Sequence, residues 1–226
     1  MSRFVGVIVS PRTTFALVTK DPRWLGMLVL TLSLVATFNT ALLSTEVGER
    51  AMLQQQVQAA ESFGIVMTDE QYDQMANVAQ YAVYFALAGI LVQVPIINVV
   101  LAGILFIVAT MLLGARSTFK QVFAVVVHSG VILVVQGAFV TPLNYVREAM
   151  SNPATLAAFI PMLDTDTFFV RMLGVLDVFF LWWVMVLAIG TGVVTERRTG
   201  PIAVGLFGVY AAIAVIVAFI QVRLSG

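Results

Sequence analysis

Cysteine is absent from the 226 residues and histidine occurs once. The first absence excludes disulfides, thiolate nucleophiles and cysteine-bound metals, and it leaves the redox compartment undetermined. The second leaves no histidine pair to build a metal site. No metal-ligand spacing, P-loop, nucleophile elbow or dinucleotide-binding fingerprint occurs either. No enzyme, catalytic residue, cofactor or metal is therefore expected. Charge is also scarce: 11% of residues are charged, against roughly 25% in an ordinary soluble domain. The zero net charge carries no sign of nucleic acid as a partner.

What fills the chain instead is apolar sequence, 60% of all residues. A helix crossing the bilayer needs ~20 mainly apolar residues, because each residue rises 1.5 Å and the hydrocarbon is roughly 30 Å thick. Five stretches meet that length: residues 24–43, 81–113, 120–145, 168–194 and 201–222. They are continuously apolar and lack the alternation of a β-barrel, so the expected fold is an all-α polytopic transmembrane bundle of five spans. The first run is too long for a signal peptide and is followed by no convincing cleavage site, so it is read as a span. The longest connector, residues 44–80, is polar and too short for a second core. One transmembrane domain over residues 1–226 is expected, with the lipid bilayer as its surroundings.

Basic residues of short loops stay on the cytoplasmic side. Arg3, Arg12, Lys20, Arg23, Arg116, Lys120, Arg197 and Arg198 fall on one side of the five spans, and only Arg50, Arg147, Arg171 and Arg223 on the other. The second side also carries Glu46, Glu49, Glu61, Asp69, Glu70, Asp73, Glu148, Asp164 and Asp166. The amino terminus is therefore expected in the cytoplasm and the carboxyl terminus outside, in a bacterial inner membrane. The odd span count argues against an inverted repeat.

Local punctuation adds detail. Ser10-Pro11, Asp21-Pro22 and Gly200-Pro201 each pair a capping or turn residue with proline, which suits the first helical position. The first pair would open a short cytoplasmic interfacial helix over residues 11–20, or else an ordered tail packed on the bundle. In the outer connector, Thr68 and Gln71 have capping-box spacing, predicting a helix into the second span and a helical pair outside. Asn152-Pro153 would cap a short run ended by Pro161, with Asp164 and Asp166 leading into the fourth span.

Ionisable groups at membrane depth cost about 2.5–3.5 kcal/mol on insertion scales, so each poses a functional question. Asp177 lies roughly ten residues, or ~15 Å of helix, into its span and hence near the midplane. Asn98 lies close to mid-depth on the second span, His128 somewhat to the cytoplasmic side on the third, and Tyr210 centrally on the fifth. These four form a candidate midplane polar cluster. Arg171, six positions away, is about 240° around the helix from Asp177 and is not its partner. Pro95 between Gln93 and Asn98 should kink the second span, while Ser129 and Gln136 share a face of the third. Asp177 can serve as an interhelical hydrogen-bonding group that fixes the bundle, or line a transport or lipid-binding path.

The segments Ser10-Pro11-x-x-Thr14-Phe15 and Asp21-Pro22-x-Trp24 precede the first span. The fourth span carries Asp177-x-Phe179, Trp182 and Ala188-Ile189-Gly190 before a short basic loop. Together they resemble bacterial members of the Yip family, the Ypt/Rab-interacting membrane proteins, whose five spans and cytoplasmic amino terminus also match. The resemblance implies a non-enzymatic accessory membrane protein, acting on a membrane-protein partner or copies of itself and sometimes associated with ABC-type exporters. Eukaryotic members contact Rab-type GTPases through a long tail with an Asp-Leu-Tyr-Gly-Pro signature. Residues 1–23 here lack it, so Rab binding is not carried over. The expected role is a membrane adaptor or scaffold. The alternative is a small transporter or lipid-handling protein using the midplane cluster.

Overall fold

The computed structural model describes residues 2–62, 65, 67–79, 81–160, 162 and 167–224. The expected features at Pro161, at Asp164 and Asp166 and at the extreme carboxyl end lie outside the described residues. The rest is an all-α membrane fold with no named strand among the described residues. In chain order come α1 (Ser2–Val9), α2 (Pro11–Lys20), α3 (Leu25–Leu43), α4 (Glu46–Ser62), α5 (Asp69–Ala79) and α6 (Ala82–Ile107), which runs into a π turn, Val108–Leu112. There follow α7 (Phe119–Ser129), α8 (Val131–Arg147), a 3-10 turn (Leu156–Phe159), α9 (Phe168–Val175), α10 (Val178–Val194) and α11 (Thr199–Leu224).

Among the described residues, four helical stretches are long and apolar enough to span: Leu25–Leu43, Ala82–Leu112, Phe119–Arg147 and Thr199–Arg223. The expected fourth span, 168–194, is not one helix. It breaks at Leu176 and Asp177 into α9 of 8 residues and α10 of 17. At 1.5 Å per residue α10 is ~26 Å long, a little short of the hydrocarbon thickness. A second difference concerns Asp21-Pro22, which does not start α3. Asp21 instead closes α2, donating its N–H to Leu17 O at 3.1 Å, and its carboxylate pairs with Arg3 and Arg23. The Thr68–Gln71 capping box does open α5, with reciprocal bonds of 3.0 and 3.3 Å.

The residues fall into two compact units. The first comprises 1–35, 89–135 and 179–209, and its centre is α7. Val122 to Ser129 are all buried, and such a β-branched run holds helical form through packing rather than propensity. A capping box between Thr118 and Gln121 starts this helix, and the Gln121 amide donates onward to Thr19 O at the end of α2 (3.0 Å). Helix α2 buries Thr14, Phe15 and Val18, so the short amino-terminal helix uses its apolar face on the unit's own core. Before it stands α1, unforeseen in sequence, with Gly6 against Thr14: a Cβ there would collide with the Thr14 hydroxyl. Gly190 of α10 plays the same part deeper in, since a Cβ there would meet Val125 and, at 3.2 Å, the ring of Phe15. Trp24 stacks edge-on against Phe123 with ring centroids 5.0 Å apart.

The second unit comprises 36–88, 136–178 and 210–226. It holds the long helical connector, α4 with α5, and the broken part of the fourth span. Gly137 on α8 admits the Phe38 ring, which would lie 3.0 Å from a Cβ at that position.

Candidate functional site

The break in the fourth span is built by pairing across the second unit. Leu176 leaves the helix in extended conformation, and the segment around Thr155 lies antiparallel beside it. Leu156 N–H donates to Leu176 O (2.8 Å) and Val178 N–H to Ala154 O (3.0 Å). Backbone groups that a continuous helix would satisfy internally are thus taken up by a neighbouring strand-like segment. Buried backbone groups left without such partners would be costly.

Asp177 sits on this break with 4% of its surface exposed. Its Oδ2 accepts from the Gln136 amide at 2.9 Å and from the Asn152 amide at 2.5 Å. The Asn152 Oδ1 in turn accepts from Ala154 N–H (3.0 Å), an Asx turn that holds the paired segment in shape. The Tyr210 hydroxyl spans the gap in the chain. It donates to Val175 O (2.8 Å) and accepts from Asp177 N–H (3.0 Å), joining the end of α9 to the start of α10. Nearby, with its amide nitrogen assigned to the side facing two carbonyls, Asn144 donates to Ala149 O (3.2 Å) and Ser151 O (3.0 Å), fixing the exit from α8.

Of the four predicted polar residues, Asp177 and Tyr210 are brought together by a direct hydrogen bond. His128 and Asn98 belong to the first unit. His128 is 1% exposed, and its Nδ1 bonds the Ala124 carbonyl of its own helix (2.7 Å). Asn98 is partly exposed on α6. Arg171 points elsewhere, donating to Gln221 O (3.0 Å). Gln136 and Asn152 were legible as a face residue and a cap, but not as ligands of Asp177. The usable signal was Asp177 itself, a preferred N-cap residue directly before the apolar run 178–194.

Among the described residues no group of three or more His, Asp or Glu could hold a metal. The arrangement pairs an acid with two amides, and a hydroxyl with two backbone groups.

No curated protein and no solved structure matches the chain. A family model described as the Yip1 domain matches residues 5–221, a span that contains α2 to α10 and the Asp177 network. The chain, with its apolar membrane-spanning helices, belongs to the Yip1 domain family.

Proposed function

We propose that the chain is a non-enzymatic adaptor or scaffold of a bacterial inner membrane. It works as one transmembrane domain, through helix contacts with a membrane-protein partner or with copies of itself. The resemblance names ABC-type exporters as one class of partner. The amino terminus is read as cytoplasmic and the carboxyl terminus as external, from the distribution of basic residues.

The supporting observation is the set of hydrogen bonds at Asp177: Gln136 and Asn152 donate to its Oδ2, and its backbone N–H donates to the Tyr210 hydroxyl. A buried acid engaged by amides on two other segments ties those segments together, and a satisfied polar network specifies one packing arrangement. In this reading Asp177, Tyr210, His128 and Asn98 are packing groups rather than ligands.

One observation favours the runner-up, a small transporter or lipid-handling protein: the fourth span is broken into α9 and α10, and discontinuous helices are a device of transporters. Reconstitution into liposomes separates the two. The scaffold reading expects no nucleotide hydrolysis and no proton, ion or lipid flux above empty vesicles. A flux that is lost in Asp177→Asn would replace it with the transport reading.

A further inference from the structure

In the first unit two helix ends meet at one polar pocket. The π turn Val108–Leu112 is closed through Gly114, which lies at φ 62°, while Ala115 N–H reaches back to Ala109 O (2.9 Å). Helix α10 ends in a Schellman arrangement, Arg197 N–H to Gly192 O (3.0 Å) and Glu196 N–H to Val193 O (3.3 Å). The Arg197 guanidinium then reaches across and donates to Leu113 O at 2.7 Å. Between these ends lies a cavity of about 400 Å³ whose lining includes Arg116, Thr195, Glu196 and Arg197.

Its depth follows from the helices that border it. The apolar stretches 82–112 and 178–194 end immediately before the lining residues, so the pocket sits where hydrocarbon gives way to headgroups. Met111 and Leu112, next to it in the chain, are 79% and 77% exposed, an apolar surface on which an acyl chain can lie.

Its chemistry has two halves. Arg116 makes no hydrogen bond or ion pair among the described residues, and with Arg197 it offers guanidinium groups whose planar fork suits a phosphate. Glu196 supplies the opposite charge from an unusual position. It occupies the C′ site of the Schellman arrangement at φ 54°, where glycine is the ordinary residue because other side chains are disfavoured there. The two helix carboxyl ends beside it add partial negative charge. An acidic residue is thus kept in the lining at a cost to local stability, a pattern that points from strain to use.

A ligand that satisfies both halves carries a phosphate and, a few ångströms away, a cation able to donate hydrogen bonds. A purely anionic headgroup would leave Glu196 facing like charge, and a quaternary ammonium could not donate to it. We propose that this pocket binds the headgroup of a phosphatidylethanolamine-type lipid, with its phosphate on Arg116 and Arg197 and its primary ammonium on Glu196.

The test uses the full-length protein, delipidated in mild detergent and offered phosphatidylethanolamine, phosphatidylglycerol or phosphatidylcholine with matched acyl chains. Retained lipid is read by native mass spectrometry and stabilisation by the shift in Tm. Phosphatidylethanolamine should be retained and raise Tm more than the other two. Arg116→Ala should weaken retention about tenfold or more, the scale of a lost charge-assisted contact. Glu196→Gln should abolish the preference for phosphatidylethanolamine over phosphatidylglycerol. Glu196→Gly should abolish it too while raising Tm of the lipid-free protein, a combination that a merely structural glutamate would not produce. Equal retention of the three lipids, or a preference undiminished in both Arg116→Ala and Glu196→Gln, would overturn the proposal. So would a Tm rise with free phosphoethanolamine as large as that with the lipid, which would assign the site to a soluble ligand.

Discussion

Replacing Tyr210 with phenylalanine removes one oxygen atom and leaves the ring in place, so it isolates what the hydroxyl does at the break. That hydroxyl makes two bonds, to Val175 O and from Asp177 N–H. Each is a neutral hydrogen bond with a net value of about 0.5–1.5 kcal/mol, giving about 1–3 kcal/mol for the pair. For a chain of this size ~1 kcal/mol corresponds to roughly 2–4 °C in Tm. Tyr210→Phe should therefore lower Tm in detergent by about 2–12 °C. The effect should also be local. Amide exchange around Asp177 and Val178 should quicken by about 5- to 150-fold, the same free energy expressed as an opening equilibrium, while amides of α7 in the first unit keep their protection. Unchanged Tm together with unchanged exchange at 175–178 would refute the assignment of Tyr210 as the bridge between α9 and α10.

Asp177→Asn should be tolerated, because its amide oxygen can stand where Oδ2 accepts from Gln136 and Asn152; Asp177→Leu removes the acceptor and should cost about 1–3 kcal/mol, read as a lower Tm. Loss of function in Asp177→Asn at unchanged Tm would argue for a role in proton or solute movement instead. Gly190→Leu should destabilise by about 1–3 kcal/mol or more through overpacking against Val125 and Phe15, and a Phe15→Ala background should recover part of that loss; no recovery would show that the two do not share the space. Because the chain has no cysteine, single cysteines at Glu61 and Arg197 report topology directly: an impermeant thiol reagent should label the first in intact cells and not the second, and the reverse pattern would invert the assignment.

The apolar stretches were legible because length and continuity alone define a span, and the α5 start was legible because a capping box is a local signal. The broken fourth span was not. Leu176 is extended because the segment around Thr155 runs antiparallel beside it, with Leu156 donating to its carbonyl, and no feature of the run 168–194 announces that partner. Apolar periodicity also fails here, since lipid-facing and core-facing residues are both apolar. Asp21-Pro22 misled for a related reason: a good local start signal was outweighed by Arg3, whose guanidinium engages Asp21 and leaves it as the close of α2. Helix α1 escaped notice because eight residues are too few to hold helical form alone. It stands through Val7, fully buried, and the close contact of Gly6 with Thr14.

Apart from Asp177, which belongs to both groups, the residues that carried the family resemblance behave differently from the polar residues that drew attention for their chemistry. Thr14 and Phe15 lie at one end of the chain and Gly190 near the other, yet the Phe15 ring lies in the space that a side chain at Gly190 would need. Trp24 reaches the same helix, α7, through Phe123, and Trp182 packs against the same core. Helix α7 supplies no motif residue of its own, only a buried run of valines that neighbours can close upon. A glycine where two helices and an aromatic ring converge cannot be exchanged for a larger residue without moving one of the three, whereas the valines can exchange for residues of similar volume at modest cost. These motif residues therefore meet at one packing junction of the first unit, centred on α7.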